Sequence, residues 1–254
     1  MKLADHADPL AWDTAFWLMG FRAPDCPLEE TGPRAEELGA KLRSLAIIAL
    51  VTGADTDTFL HNLIRSGGVR EHYLARWQAA GRDDDHDLAA SRLDGWFDAV
   101  AGGDRDLALR IAARSPTDWR PSREYEDDFA YAMLLFALLR GERAAAQAAL
   151  DRLEAALDGA PAPRPAVARA LLARDPDAFA QAFEALLQAR DDEIAAAIGR
   201  GQMDDAVVVP ARLVFVEGLA LLRLAAMTGI ATAPEYRLCP SLARLPMRTP
   251  YPGE

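Results

Sequence analysis

The sequence predicts an all-α protein in which antiparallel helix pairs stack in a tetratricopeptide-like or helical-bundle arrangement, with a proline-rich extended tail. Three observations carry this. Alanine and leucine dominate the chain, and runs of Val, Ile and Thr are scarce; the first two head the helix-propensity order, and the others are what strands need. Apolar residues recur three and four apart over most of the chain, which gathers them on one helix face. Three small turns, Gly103-Asp104, Gly141-Glu142 and Arg174-Asp175, each separate an apolar helix from an alanine-rich one, and their acids stand 38 and 33 residues apart. That is the period of helix–turn–helix repeats. The Trp, Leu-Gly and Tyr pattern of the tetratricopeptide is missing, and capping also explains an acid at each turn.

The elements follow in order. Asp8 as N-cap and Pro9 at the first helical position predict a helix over 8–21. Trp12, Phe16 and Met19 share its apolar face, bordered by Trp17 and Gly20. A loop over 22–33 leads to a helix over 34–51 with Leu38, Leu42, Leu45, Ile48 and Ala49 on its stripe. Gly53 ends it, and Asp55 or Thr56 caps the next. Phe59, Leu60, Leu63 and Ile64 are spaced as a helix that Gly67-Gly68 should stop. Tyr73, Leu74 and Trp77 belong to a further short helix, and 81–87 to a loop or helix entry. A helix over 88–100 turns Leu93, Trp96, Phe97 and Val100 inward.

The strongest helix spans 122–140, capped by Ser122, with acids in its first turns and Arg140 at its end, as the macrodipole favours. Phe129, Met133, Leu134, Phe136 and Leu138 fill its apolar face, and 143–158 form its partner. The whole chain, 1–254, is expected to form a single domain, with possible sub-layers 1–158 and 166–254 either side of the loop from Pro161 to Pro165. Helices follow over 166–174 and 176–198, the latter with Phe179, Phe183, Leu186 and Leu187 inward. An apolar helix over 207–227 closes at Gly229. Five prolines (Pro234, Pro240, Pro246, Pro250, Pro252) should hold the tail, 233–254, extended across the surface.

The formal charge is −11, from 28 basic and 39 acidic residues, with Lys2 and Lys41 the only lysines. That balance argues against nucleic acid as a partner. It suits solubility and is compatible with a basic protein partner. Residues 1–6 show no apolar h-region. The apolar stretch 207–227 contains Pro210, Arg212, Glu217 and Arg223 and reads as a buried helix, not a membrane span. A cytoplasmic protein is expected.

His86-Asp87, with His61 or His72 before it and Asp104 after it, has the elements of an HD-type metal phosphohydrolase. The pair sits in a run of aspartates with no apolar flank, so a solvated acidic loop is the better reading. Asp83 and His86 have the carboxylate-x-x-His spacing of helical di-iron sites, but no second copy exists. No cysteine pair, H-E-x-x-H, G-x-S-x-G, G-x-G-x-x-G or P-loop is present. No catalytic residue, metal or cofactor is expected. Glu124, Glu126, Asp127 and Asp128 form a dense acidic cluster, with Glu124, Asp127 and Asp128 expected on one helix face. It is read first as dipole-matched charge with Arg120 or Arg123 alongside, next as an electronegative patch for a basic partner, and last as a metal site. The tryptophans read mostly as core. Trp119, in a polar loop beside the acids, is the candidate exposed anchor. Partner contacts are thus expected at Trp119, Glu124, Tyr125, Glu126, Asp127 and Asp128, with Asp83, Asp84 and Asp85 as a second candidate.

The runs Trp96-Phe97-Asp98-Ala99-Val100-Ala101-Gly102-Gly103-Asp104 and Glu124-Tyr125-Glu126-Asp127-Asp128-Phe129-Ala130-Tyr131 resemble the immunity protein 49 family of bacterial polymorphic-toxin systems. The resemblance continues through Leu171-Leu172-Ala173-Arg174-Asp175-Pro176 and the late apolar helix, over residues 90–230. It implies a cytoplasmic helical protein that binds and blocks a cognate toxin, with no catalytic residues. A helical-repeat adaptor or regulator with another partner is the alternative.

Overall fold

A computed structural model describes residues 3–201 and 207–253; Met1, Lys2 and the last residue of the tail, Glu254, lie outside them. Ten α-helices and no strand occur among the described residues. They are α1 (Ala7–Arg22), α2 (Thr31–Gly53), α3 (Thr56–Ala79), α4 (Asp94–Gly102), α5 (Arg105–Arg114), α6 (Glu126–Arg140), α7 (Arg143–Leu157), α8 (Pro163–Ala173), α9 (Pro176–Gly199) and α10 (Val216–Thr228). None is long and apolar enough to cross a membrane.

Consecutive helices pair across short turns: α2 with α3, α6 with α7, α8 with α9. Late in the chain, α10 returns to pack on α4. The predicted helix pairs are therefore present, and the local reason is at the turns. Asp55, Asp104 and Asp175 stand at N-caps and accept amide hydrogens of Thr58, Leu107 and Ala178. Gly103, Gly141 and Arg174 end the preceding helices in the left-handed conformation. The side chain of Glu142 makes no cap bond.

Where the elements differ from the sequence reading, a partner distant in sequence decides. Helix α1 starts at Ala7 with His6 at its N-cap, so Asp8 caps nothing. It buries Leu10, Thr14, Leu18 and Phe21 and leaves Trp12, Phe16, Trp17 and Met19 outside. Burial of Leu10, Leu18 and Phe21 sets this rotation, and it brings the Asp13 carboxylate to accept from Lys41 of α2 at 2.6 Å. Gly67-Gly68 does not stop α3, because a Cβ on Gly67 would lie 2.9 Å from Ala99 Cβ and 3.0 Å from Gly95 O. The glycine is there for the close approach of α4, and Tyr73, Leu74 and Trp77 belong to the same helix. On α2, which begins at Thr31 with Pro33 in its first turn, Leu45 and Ala49 are half-buried, and Ala46, Ile47 and Leu50 take the deep positions.

The expected helix over 88–100 begins only at Asp94. Arg70 donates to Asp87 O at 2.7 Å and Ala89 O at 2.9 Å, and Glu124 accepts from Ala90 and Ser91 N–H. Side chains thus answer backbone groups that helical bonds would otherwise answer. Glu124 itself lies before α6, which starts at Glu126, so Ser122 is no cap. Pro163 and Pro165 lie in the first turn of α8, where a missing N–H is harmless. The apolar run over 207–227 is divided: Val209–Arg212 form a 3-10 turn at Pro210, and α10 begins at Val216. In the tail, Ser241–Arg244 form a 3-10 turn, and Asp57 of α3 accepts the amide hydrogens of Arg248 and Thr249.

Candidate partner-binding surface

A cleft runs between α2, α4, α6, α8 and α9 as two adjoining hollows of about 850 Å³ and 790 Å³ that share Arg43, Asp94, Phe97, Arg164 and Glu217. Its floor consists of two ion-pair networks. Arg43 meets the fully buried Asp98 through Nε and Nη2 at 2.8 and 2.7 Å, and Asp94 at 3.1 Å. Ser66 Oγ donates to Asp98 as well. Arg164 meets Glu217 through two 2.9 Å bonds and approaches Asp128 at 3.7 Å. Tyr131 donates its hydroxyl to the same Glu217. Burial pushes the Tyr131 hydroxyl well up and, helped by neighbouring Asp127, raises the Asp128 carboxyl. Arg43 holds Asp94 below the usual carboxylate range. Arg70 at the cleft wall is buried with only backbone carbonyls as bonded partners, and desolvation lowers its pKa to about 10.

Of the residues singled out in the sequence, Glu124, Tyr125 and Asp128 lie on one rim of this cleft. The structure brings the two candidate segments together: Arg120 and Arg123 reach from the second segment to Asp83 in the first. The individual acids are mostly engaged within the chain. Asp83 pairs with Arg120, and Asp84 with Arg82, which also takes Glu29. Those bonds lower the carboxyl pKa of Asp83 and of Asp84. Asp85 accepts from Asp87 N, Glu124 holds Ala90 and Ser91, and Glu126 pairs with Arg152 at 2.8 Å. The expected single face of Glu124, Asp127 and Asp128 does not form, since Glu124 precedes the helix.

Trp119 is not the exposed anchor expected of it. Its Nε1 donates to Glu124 O at 3.1 Å, Arg152 stacks on its ring, and the ring packs against the core. Tyr125, next to it, is 78 % exposed. Residues 82–87 and 119–128 hold three arginines and eight carboxylates; Arg92, Arg152 and Arg164 from outside these segments answer Asp87, Glu126 and Asp128, so the acidic excess left at the rim is small.

The other candidate chemistry is dispersed. His61 bonds Thr249 O, His72 packs against Phe21 at 5.2 Å, and His86 is exposed beside Asp87. No group of three His, Cys, Asp or Glu able to hold a metal ion occurs among the described residues. Both cysteines are buried, and burial pushes the Cys239 thiol up to about 12. The Arg43–Asp98 and Arg164–Glu217 networks were not singled out in the sequence. A signal for the first exists: Asp98 sits inside an apolar run, four residues after Asp94.

The fold places the chain among all-α proteins built from packed helix pairs. Residues 40–243 match the family model of immunity protein 49, and the chain belongs to that family. Membership suggests an immunity protein with a non-enzymatic role. Comparison with curated proteins and with solved structures gives no match.

Proposed function

We propose that this chain is a cytoplasmic immunity protein that binds a cognate toxin of a polymorphic-toxin system and blocks it, through the rim formed by residues 82–87 and 119–128. Family membership carries the reading. The rim supports its placement: a small acidic excess gathered from two segments around the exposed ring of Tyr125. Aromatic side chains are favoured anchors in interfaces, and a one-signed field steers an oppositely charged partner. The partner chemistry that fits is a basic protein surface.

The test is co-expression with the product of the adjacent gene. A one-to-one complex and rescued growth are expected. Tyr125→Ala and Asp127→Arg should each weaken binding about tenfold or more with unchanged melting, and the wild-type association rate should fall with salt. Glu124 is left intact in this test, because it holds the backbone of Ala90 and Ser91. A neighbour that harms no cell and does not bind overturns the reading.

A further inference from the structure

Helix α1 is apolar on two sides. Leu10, Leu18 and Phe21 are buried on its inner side, while Trp12, Phe16, Trp17 and Met19 are 75, 53, 43 and 69 % exposed. The outer side chains are organised: Trp12 and Phe16 stack at 6.1 Å, and Phe16 meets Trp17 edge-on at 5.5 Å. A helix apolar all round is ordinarily a covered one. Positions 12, 16 and 19 follow the four–three alternation of a coiled-coil seam, which is shaped to receive another helix.

We infer that this face is a two-fold interface with a second copy of the same chain, the two α1 helices lying antiparallel. The first turn of α1 carries Asp8 and its last turn Arg22. Arg22 is half-buried beside Tyr251 and Arg65, so the polarity of the pairing rests on the two macrodipoles, which an antiparallel copy opposes. It also lays the Trp12 ring of one copy beside Met19 of the other, a favourable sulfur–aromatic contact. The four side chains offer about 500 Å² per copy, or roughly 1,000 Å² for the pair, the lower limit for a specific interface. Each copy carries a net charge of −11, so mutual repulsion opposes the dimer and screening by salt favours it.

This goes beyond the toxin-binding reading and is separable from it. No residue of α1 lines the cleft, and α1 precedes the matched family segment.

Sedimentation equilibrium of the full chain, from low micromolar to several hundred micromolar, tests it. A monomer–dimer equilibrium with a dissociation constant on the order of micromolar is expected, tightening at high salt. Phe16→Glu should hold the chain monomeric with unchanged circular dichroism and melting, since the ring is exposed. Oxidising a mixture of Trp12→Cys and Met19→Cys chains should give mixed 12-to-19 crosslinks, with little background from the buried Cys26 and Cys239. A monomer at every concentration, a dimer indifferent to Phe16→Glu, or 12-to-12 and 19-to-19 crosslinks alone would overturn the inference. So would a monomer in which Phe16→Glu abolishes toxin binding, which would give α1 to the toxin. Absence of toxin binding by the wild-type chain leaves the dimer measurement unaffected.

Discussion

Arg43 of α2 closes two parallel hydrogen bonds, 2.8 and 2.7 Å long, onto Asp98 of α4, a carboxylate with no solvent exposure. Burial pushes the Asp98 carboxyl up, and Arg43 and Ser66 pull it back. Losing one member of such a pair strands the other charge in the interior.

Arg43→Ala is therefore expected to destabilise the fold by about 3–5 kcal/mol in urea unfolding. Its deficit should shrink as the pH falls. A carboxyl whose folded pKa is raised favours the folded state once protonated, so stability returns below the raised value. Replacing both partners, Arg43→Met with Asp98→Leu, should recover most of the loss.

The three turn acids are equivalent in sequence and unequal in the structure. Asp104→Ala and Asp175→Ala should each cost about 1 kcal/mol, the usual value of a lost cap. Glu142→Ala should change thermal unfolding very little, because its side chain makes no cap bond.

Gly67→Ala is expected to destabilise by about 1–3 kcal/mol, since the added methyl meets α4 and not water. Gly20→Ala, exposed in α1 with nothing within 4 Å of a Cβ, should stabilise by about 0.5–1 kcal/mol through helix propensity. Equal effects at the two sites would remove packing as the reason for Gly67.

Asp57 ties the tail to α3, and the Arg248 and Thr249 amides that it accepts lower its carboxyl pKa. A carboxyl with a depressed folded pKa contributes above its unfolded value of about 4, and the contribution is lost as the pH falls through the folded one. Protection of the Arg248 and Thr249 amides against hydrogen exchange, taken relative to the intrinsic rate at each pH, should fall below about pH 4, and Asp57→Asn should lower it at neutral pH.

What was legible in the sequence is what local chemistry decides. Caps at Asp55, Asp104 and Asp175 and the apolar stripes between them mark the helix pairs without knowledge of neighbours. The rest depends on long-range partners. Gly67-Gly68 reads as a stop until α4 lies against it. Trp12, Phe16 and Met19 read as the inner face of α1 until burial of Leu10, Leu18 and Phe21 turns them outward. The acidic cluster reads as one face until Glu124 reaches back 33 and 34 residues to Ser91 and Ala90. Trp119 reads as an anchor until Arg152 covers it. Periodicity carries no information about any of these pairings.

The return of α10 onto α4, fastened where Arg223 donates to Ala101 O at 2.8 Å across 122 residues, has a consequence during synthesis. A ribosome makes α4 long before α10, so the part of α4 that faces α10 waits uncovered while the intervening helices emerge. Native packing around α4 would then be completed only after translation has passed residue 228, and until then each nascent copy exposes the surface that α10 covers.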